Sequence, residues 1–109
     1  MLPKFTLPQL KKYDVNQKVI LALADAESRA ILFSITKKSK SAPELAGRLR
    51  IPLSSVYKKL SELQALTLIE VERTVLSDRG RRLKMYRSRI KRADISIGKP
   101  EPVLTLVPN

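Results

Sequence analysis

SAPELAGRLRIPLSSVYKKLSEL, residues 41–63, is the stretch that decides the architecture. Ser41 can cap a helix, Glu44 can complete a capping box, and Pro43 is tolerated in a first turn. That helix carries Leu45, Ala46 and Leu49 inward and ends near Arg48–Leu49. Arg50-Ile51-Pro52 is a turn, and Pro52 fits the first position of a second helix over 52–65. At about 100° per residue, Val56, Leu60 and Leu63 form one apolar stripe with Leu53 at its edge. Ser54, Lys58 and Ser61 lie opposite, flanked by Ser55 and Tyr57. Lys59 sits nearer the stripe, where its stem can snorkel towards a phosphate.

The period changes after Leu66. In LIEVERTVLSDRGRRLKMYRSRIKR, residues 68–92, Leu68, Glu70, Glu72 and Thr74 alternate with Ile69, Val71, Arg73 and Val75, the pattern of a strand. Ser77-Asp-Arg-Gly80 is a turn in which Gly80 can take a positive φ. Arg82, Lys84, Tyr86 and Ser88 then alternate with Leu83, Met85 and Arg87 in a returning strand. Nine basic residues and one acid, Asp78, fall between Arg73 and Arg92. A solubilising charged edge accounts for one or two such charges, but poorly for nine. Ile95 and Ile97 allow a third short strand, 98–102 reads as a linker, and 103–107 is strand-like.

Upstream, residues 1–14 carry two prolines and read as an arm, extended around Thr6–Leu7. Asp14 and Gln17 resemble a capping box, which predicts a helix from Val15 to Ala24 that is apolar nearly all round and hence buried or at a subunit interface. Asp25 is a plausible N-cap for a helix over 26–38, with Ser28, Ile31, Leu32 and Ile35 on one face and Phe33 projecting away.

Composition narrows the chemistry. The 109 residues suit one domain, divided here into an arm (1–14), a core (15–97) and a tail (98–109). A net charge of +12 and a pI of about 10.4 call for a polyanionic partner. There are no cysteines and no histidines, which removes thiolate metal sites, the commonest metal ligand and the commonest general base. With no glycine-rich phosphate loop and no paired carboxylates at a credible spacing, the expectation is a protein that is not an enzyme and has no cofactor, no metal and no catalytic residue. No segment has the apolar length of a signal peptide or membrane span, so the expected location is cytoplasmic and nucleoid-associated. A membrane-surface role would need a basic amphipathic helix, whereas the charges sit on a hairpin.

Two short helices, a tight turn and a basic hairpin are the layout of a winged helix-turn-helix. The expected fold class is α+β, mainly α, with a β-hairpin wing and short strand-like terminal arms. The small, hydroxylated, basic face of helix 52–65 suits a major groove about 12 Å wide. Arginines at the hairpin tip suit the negative potential of a narrow minor groove. Lys84 and Arg87, then Arg89, Lys91 and Arg92, could follow the phosphate backbone.

The same residues carry a family resemblance. LADAESRAIL (23–32) resembles the opening of ArsR-like winged-helix regulators, PELAGRLRIPLSSVYKKLSEL (43–63) their helix-turn-helix, and GRRLKMYRSRI (80–90) the returning wing strand of archaeal members. The similarity covers residues 19–92. It implies a homodimeric, double-stranded-DNA-binding transcription regulator with its recognition helix in the major groove and its wing in the minor groove. Carried onto this chain, the recognition-helix candidates are Pro52, Leu53, Ser54, Ser55, Tyr57 and Lys58, to which the helical pattern adds Lys59 and Ser61. The wing candidates are Arg79, Arg81 and Arg82, to which the strand pattern adds Arg73, Lys84 and Arg87. No effector ligand follows from the sequence.

Four departures from the family stand out. Arg50 and Thr67 occupy positions where glycine is expected, and glycine takes a left-handed conformation most easily. The metal-sensing cysteines of some members are absent, and no long C-terminal dimerising helix follows the wing. A dimer built otherwise would use helix 15–24 and Phe33, with Phe5–Leu7 and 103–107 pairing as strands within or between subunits. The alternative function is a winged-helix module that binds RNA or serves protein assembly or chromatin architecture.

Overall fold

Ser41 accepts the Glu44 N–H through its hydroxyl and so starts the helix that the sequence marks most clearly. In a computed structural model, which describes the backbone over residues 7–109 and side chains from Val15 on, the elements are α1 (Leu7–Ala24), α2 (Ala26–Ser34), α3 (Ala42–Leu49), α4 (Leu53–Ala65), β1 (Ile69–Leu76), β2 (Arg82–Ser88), β3 (Ile90–Ser96) and β4 (Val103–Pro108).

Helix α3 ends at Arg50, whose backbone takes φ 55° and ψ 44°, and Thr67 follows α4 at φ 60°. Both positions therefore keep the left-handed conformation for which glycine is the easy choice, at a steric cost that a β-branched threonine feels most. Helices α3 and α4, each followed by one of these stops, pack together and bury Leu45, Val56, Leu60 and Leu63. Ile31, Leu32 and Ile35 of α2, Val19 of α1, and Leu68, Ile69 and Tyr86 complete one core. Burial of several such side chains, each contributing roughly 1.5–3 kcal/mol, is the main force holding the layers together.

The first hairpin pairs β1 antiparallel with β2, Ile69 opposite Ser88 and Leu76 opposite Arg82. At its tip Gly80 takes φ 76°. A bulge between Val71 and Arg73 shifts the register. Strict alternation would put Glu70 and Glu72 on one face; the extra residue breaks that pairing and sets Thr74 and Leu76 opposite Lys84 and Arg82. The hairpin is tied to the α2–α3 loop by two hydrogen bonds, from Lys40 N–H to the Tyr86 carbonyl and from Tyr86 N–H to the Lys40 carbonyl.

Two expectations need correction. Helix α1 begins at Leu7, not Val15, so Asp14 lies inside the helix and does not cap it. Pro8 fits a first turn, where its missing N–H costs nothing. The tail does form a strand, but β4 pairs antiparallel with β3 of the same chain. Leu7 is helical, and Phe5 and Thr6 lie outside the described residues, so the arm–tail pairing is not observed. Asn109 fastens this second ribbon: its amide side chain donates to the carbonyls of Thr36 and Ser88 at 2.8 and 2.9 Å. Ile90 and Leu104 pack on the core, whereas Ile95, Ile97, Val103 and Leu106 remain exposed.

Candidate nucleic-acid interface

The outer face of α4 is built by its inner one. Because Val56, Leu60 and Leu63 are buried, Ser54, Tyr57, Lys58 and Ser61 must project outward, and all four are exposed; Ser55 is half-buried. Pro52 stands at the N-cap, one position earlier than expected, and no side chain caps the first turn. The exposed Leu53 begins the helix. The positive end of α4 is thus open beside Ser54 and Ser55, an arrangement suited to an anion.

The basic residues divide into two groups. In the first, each cation already has a carboxylate. Lys59 Nζ lies 2.7 Å from Asp25 Oδ2 and 4.0 Å from Glu27 Oε1, so it faces the start of α2 instead of snorkelling outward. Asp25 in turn caps α2, accepting from the Ser28 N–H and hydroxyl. The Lys59 ammonium, followed by the Ser28 hydroxyl and N–H, lowers the Asp25 carboxyl to about 2, and the same pairing raises Lys59.

Arg73 and Arg87 form a second such knot around Glu72, each at 3.0 Å. Arg73 also donates to Ser39 Oγ and Arg87 to the Thr36 carbonyl, at 3.1 and 3.0 Å. These two arginines therefore staple the hairpin to the α2–α3 loop, on the side of β2 away from Tyr86. Arg92 pairs with Asp94 at 3.0 Å and Arg89 reaches Glu70 at 4.0 Å.

The second group has no acid within 4.0 Å among the described residues: Lys58 on α4, and Arg79, Arg81, Arg82 and Lys84 on the hairpin. Arg79 and Arg81 flank Gly80 at the exposed tip. Arg82 and Lys84 share the Tyr86 face of β2 and border one cleft with Tyr57 of α4. Lys37, Lys38, Arg50, Lys91 and Lys99 also lack a described carboxylate, but they are spread over the loops and the ribbon.

That cleft, about 260 Å³, is lined by Ala42, Pro43, Tyr57, Arg82, Leu83, Lys84 and Tyr86. Tyr86 was not among the sequence-derived site residues. The signal was present in its position two residues from Lys84 on one strand face. Burial, with a smaller contribution from Tyr57, raises its phenol above the ordinary range, so at neutral pH the hydroxyl keeps its proton and can donate. Here the sequence-predicted residues of α4 and β2 meet, while Lys59, Arg73 and Arg87 turn to internal partners.

No protein-family model and no curated protein matches the chain. Among solved structures, NolR from Sinorhizobium fredii is similar, at a TM-score of 0.63 and 19% identity over 83% of this chain and 84% of that one. Four helices followed by a two-stranded antiparallel hairpin, shared with that structure, establish the fold as a winged helix of the α+β class.

Proposed function

We propose that this chain binds double-stranded DNA sequence-specifically and acts as a transcription regulator of the ArsR-like, archaeal type. Ser54, Ser55, Tyr57, Lys58 and Ser61 of α4 read the major groove. Arg79 and Arg81 enter the minor groove, and Arg82 and Lys84 hold the intervening backbone. One observation carries this reading: Arg82 and Lys84 of the wing, which have no described carboxylate partner, border one cleft with Tyr57 of α4, while Lys59 is paired with Asp25 and Arg73 and Arg87 share Glu72. An interface that must neutralise phosphates needs cations not already committed to acids.

A homodimer fits the same reading. Val15 and Leu21 on α1, Phe33 on α2, and Ile95 and Ile97 on the ribbon are exposed apolar side chains remote in sequence from the reading helix. Phe33 is 85% exposed. Among the described residues, no helix is long and apolar enough to cross a membrane.

Selection of bound duplexes from a random DNA pool tests the function. An enriched palindromic motif supports specific reading by a symmetric dimer. Binding structured RNA at least tenfold more tightly than duplex DNA at matched salt, for which the half-exposed Tyr57 would serve as a stacking platform, would overturn it.

A further inference from the structure

The cleft between α4 and the wing is bordered by a phenol whose hydroxyl has no partner among the described residues. Tyr86 is 6% exposed, pinned through its backbone to Lys40, and borders the cleft. No described residue hydrogen-bonds its hydroxyl, which, unlike the buried ring, is not sealed from solvent and so is open to a partner in the cleft. Around it stand Tyr57, also hydroxyl-bearing, and the Arg82 and Lys84 side chains, which have no carboxylate within 4.0 Å among the described residues. The first turn of α3 closes one side through Ala42 and Pro43. Pro43 has no N–H, and Ser41 Oγ already takes that of Glu44. The Ala42 N–H has no acceptor among the described residues. Two cations, two phenols and the positive end of an eight-residue helix surround one small space without an acid on its lining.

We propose that this cleft is a seat for a single tetrahedral phosphate, occupied by one phosphodiester of the DNA backbone and held by Tyr86, Arg82 and Lys84. The assignment of the phosphate to DNA rests on the DNA-binding reading above. The seat lies between the element that reads the major groove and the hairpin that enters the minor groove. A phosphate fixed there sets the register of both, as phosphate contacts generally position a protein without reading sequence. The hydroxyl of Tyr86 is a neutral donor in a recess, so its contribution is short-range and largely independent of salt. Arg82 and Lys84 add the charge.

Two titrations on the full chain test the seat, with Tyr86→Phe, which keeps the ring in the core, and Arg82→Gln, which changes an exposed side chain. Inorganic phosphate is followed through the Ala42 and Glu44 amide resonances. Saturable shifts are expected, weakened about tenfold in each variant, the size of one charge-assisted hydrogen bond. Absence of saturable shifts overturns the seat. Duplexes carrying one neutral methylphosphonate linkage at successive positions are then compared. One position is expected at which the neutral linkage weakens the wild type clearly more than it weakens the Tyr86→Phe protein, the remaining loss in the variant being that of the Arg82 and Lys84 contacts. Phosphate binding without such a position makes the seat one for a free anion and overturns its assignment to DNA. If the wild type binds no duplex at all, the DNA-binding reading fails separately, and the phosphate titration still decides whether the seat exists.

Discussion

Neutralising two pairs of hairpin cations should have opposite consequences. Arg82 and Lys84 have no described acid and border the cleft under Tyr57; Arg73 and Arg87 share Glu72. Replacing Arg82 and Lys84 together with Ala removes two phosphate contacts, so the slope of log K against log salt should flatten by about 1.8. Over a fourfold rise in salt the variant should then lose roughly tenfold less affinity than the wild type does. Stability should hardly change, since exposed cations outside any network contribute within about 0.5 kcal/mol. Replacing Arg73 and Arg87 should leave the slope within error. It should instead lower stability by roughly 1–3 kcal/mol, because the bonds to Ser39 and the Thr36 carbonyl are lost with the ion pairs. Fluorescence anisotropy on one duplex at several salt concentrations, with thermal melts of both variants, reads both quantities. A larger loss of slope in the Arg73/Arg87 variant would refute the division of the cations.

Other perturbations test the scaffold. Thr67→Gly should raise stability by about 0.5–1 kcal/mol, the relief of a left-handed β-branched residue less the entropy glycine adds to the unfolded chain; urea melts measure it. Leu45→Ala, in a fully buried site between α3 and the rest of the core, should cost about 2–5 kcal/mol by the same assay. Asp25 is depressed in the fold from 3.8 to about 2, so its contribution is present above about 4 and is lost as pH falls through about 2. Asp25→Asn should therefore flatten the stability–pH profile across that window and lower stability at neutral pH, with acid titrations of the melting midpoint as the check. Phe33→Glu should shift a dimer towards monomer in light scattering, whereas an unchanged mass would remove α2 from the interface.

The helix-turn-helix was legible because its signals are local. Ser41, Pro43 and Glu44 mark one start, and the 3.6-residue spacing of Val56, Leu60 and Leu63 marks the next inner face. The hairpin was legible through alternation and Gly80. What escaped was decided at longer range. Helical spacing sets Lys59 nearer the apolar stripe than Lys58, but nothing local says that it faces α2 instead of snorkelling outward; only the docking of α2 brings Asp25 within 2.7 Å. Arg73 and Arg87 sit in a run of arginines, yet the bulge after Val71 and the return of the α2–α3 loop give them Glu72, Ser39 and the Thr36 carbonyl as partners. The Asp14–Gln17 pattern imitated a helix start because capping residues are also tolerated within a helix. Tyr86 stood two residues from Lys84, but its burial against the core and its place in the cleft depend on Lys40, more than forty residues earlier in the chain.

The central claim is that the side of the molecule shared by α4 and the β1–β2 tip meets duplex DNA. An amide chemical-shift map of the labelled protein, recorded while a DNA duplex is added, tests it most directly. The account predicts that the largest changes fall on residues 53–58, on 78–84 and at the start of α3, with β3, β4 and α1 little affected. Changes concentrated on the β3–β4 ribbon or on α1, with residues 53–58 and 78–84 unmoved, would contradict it.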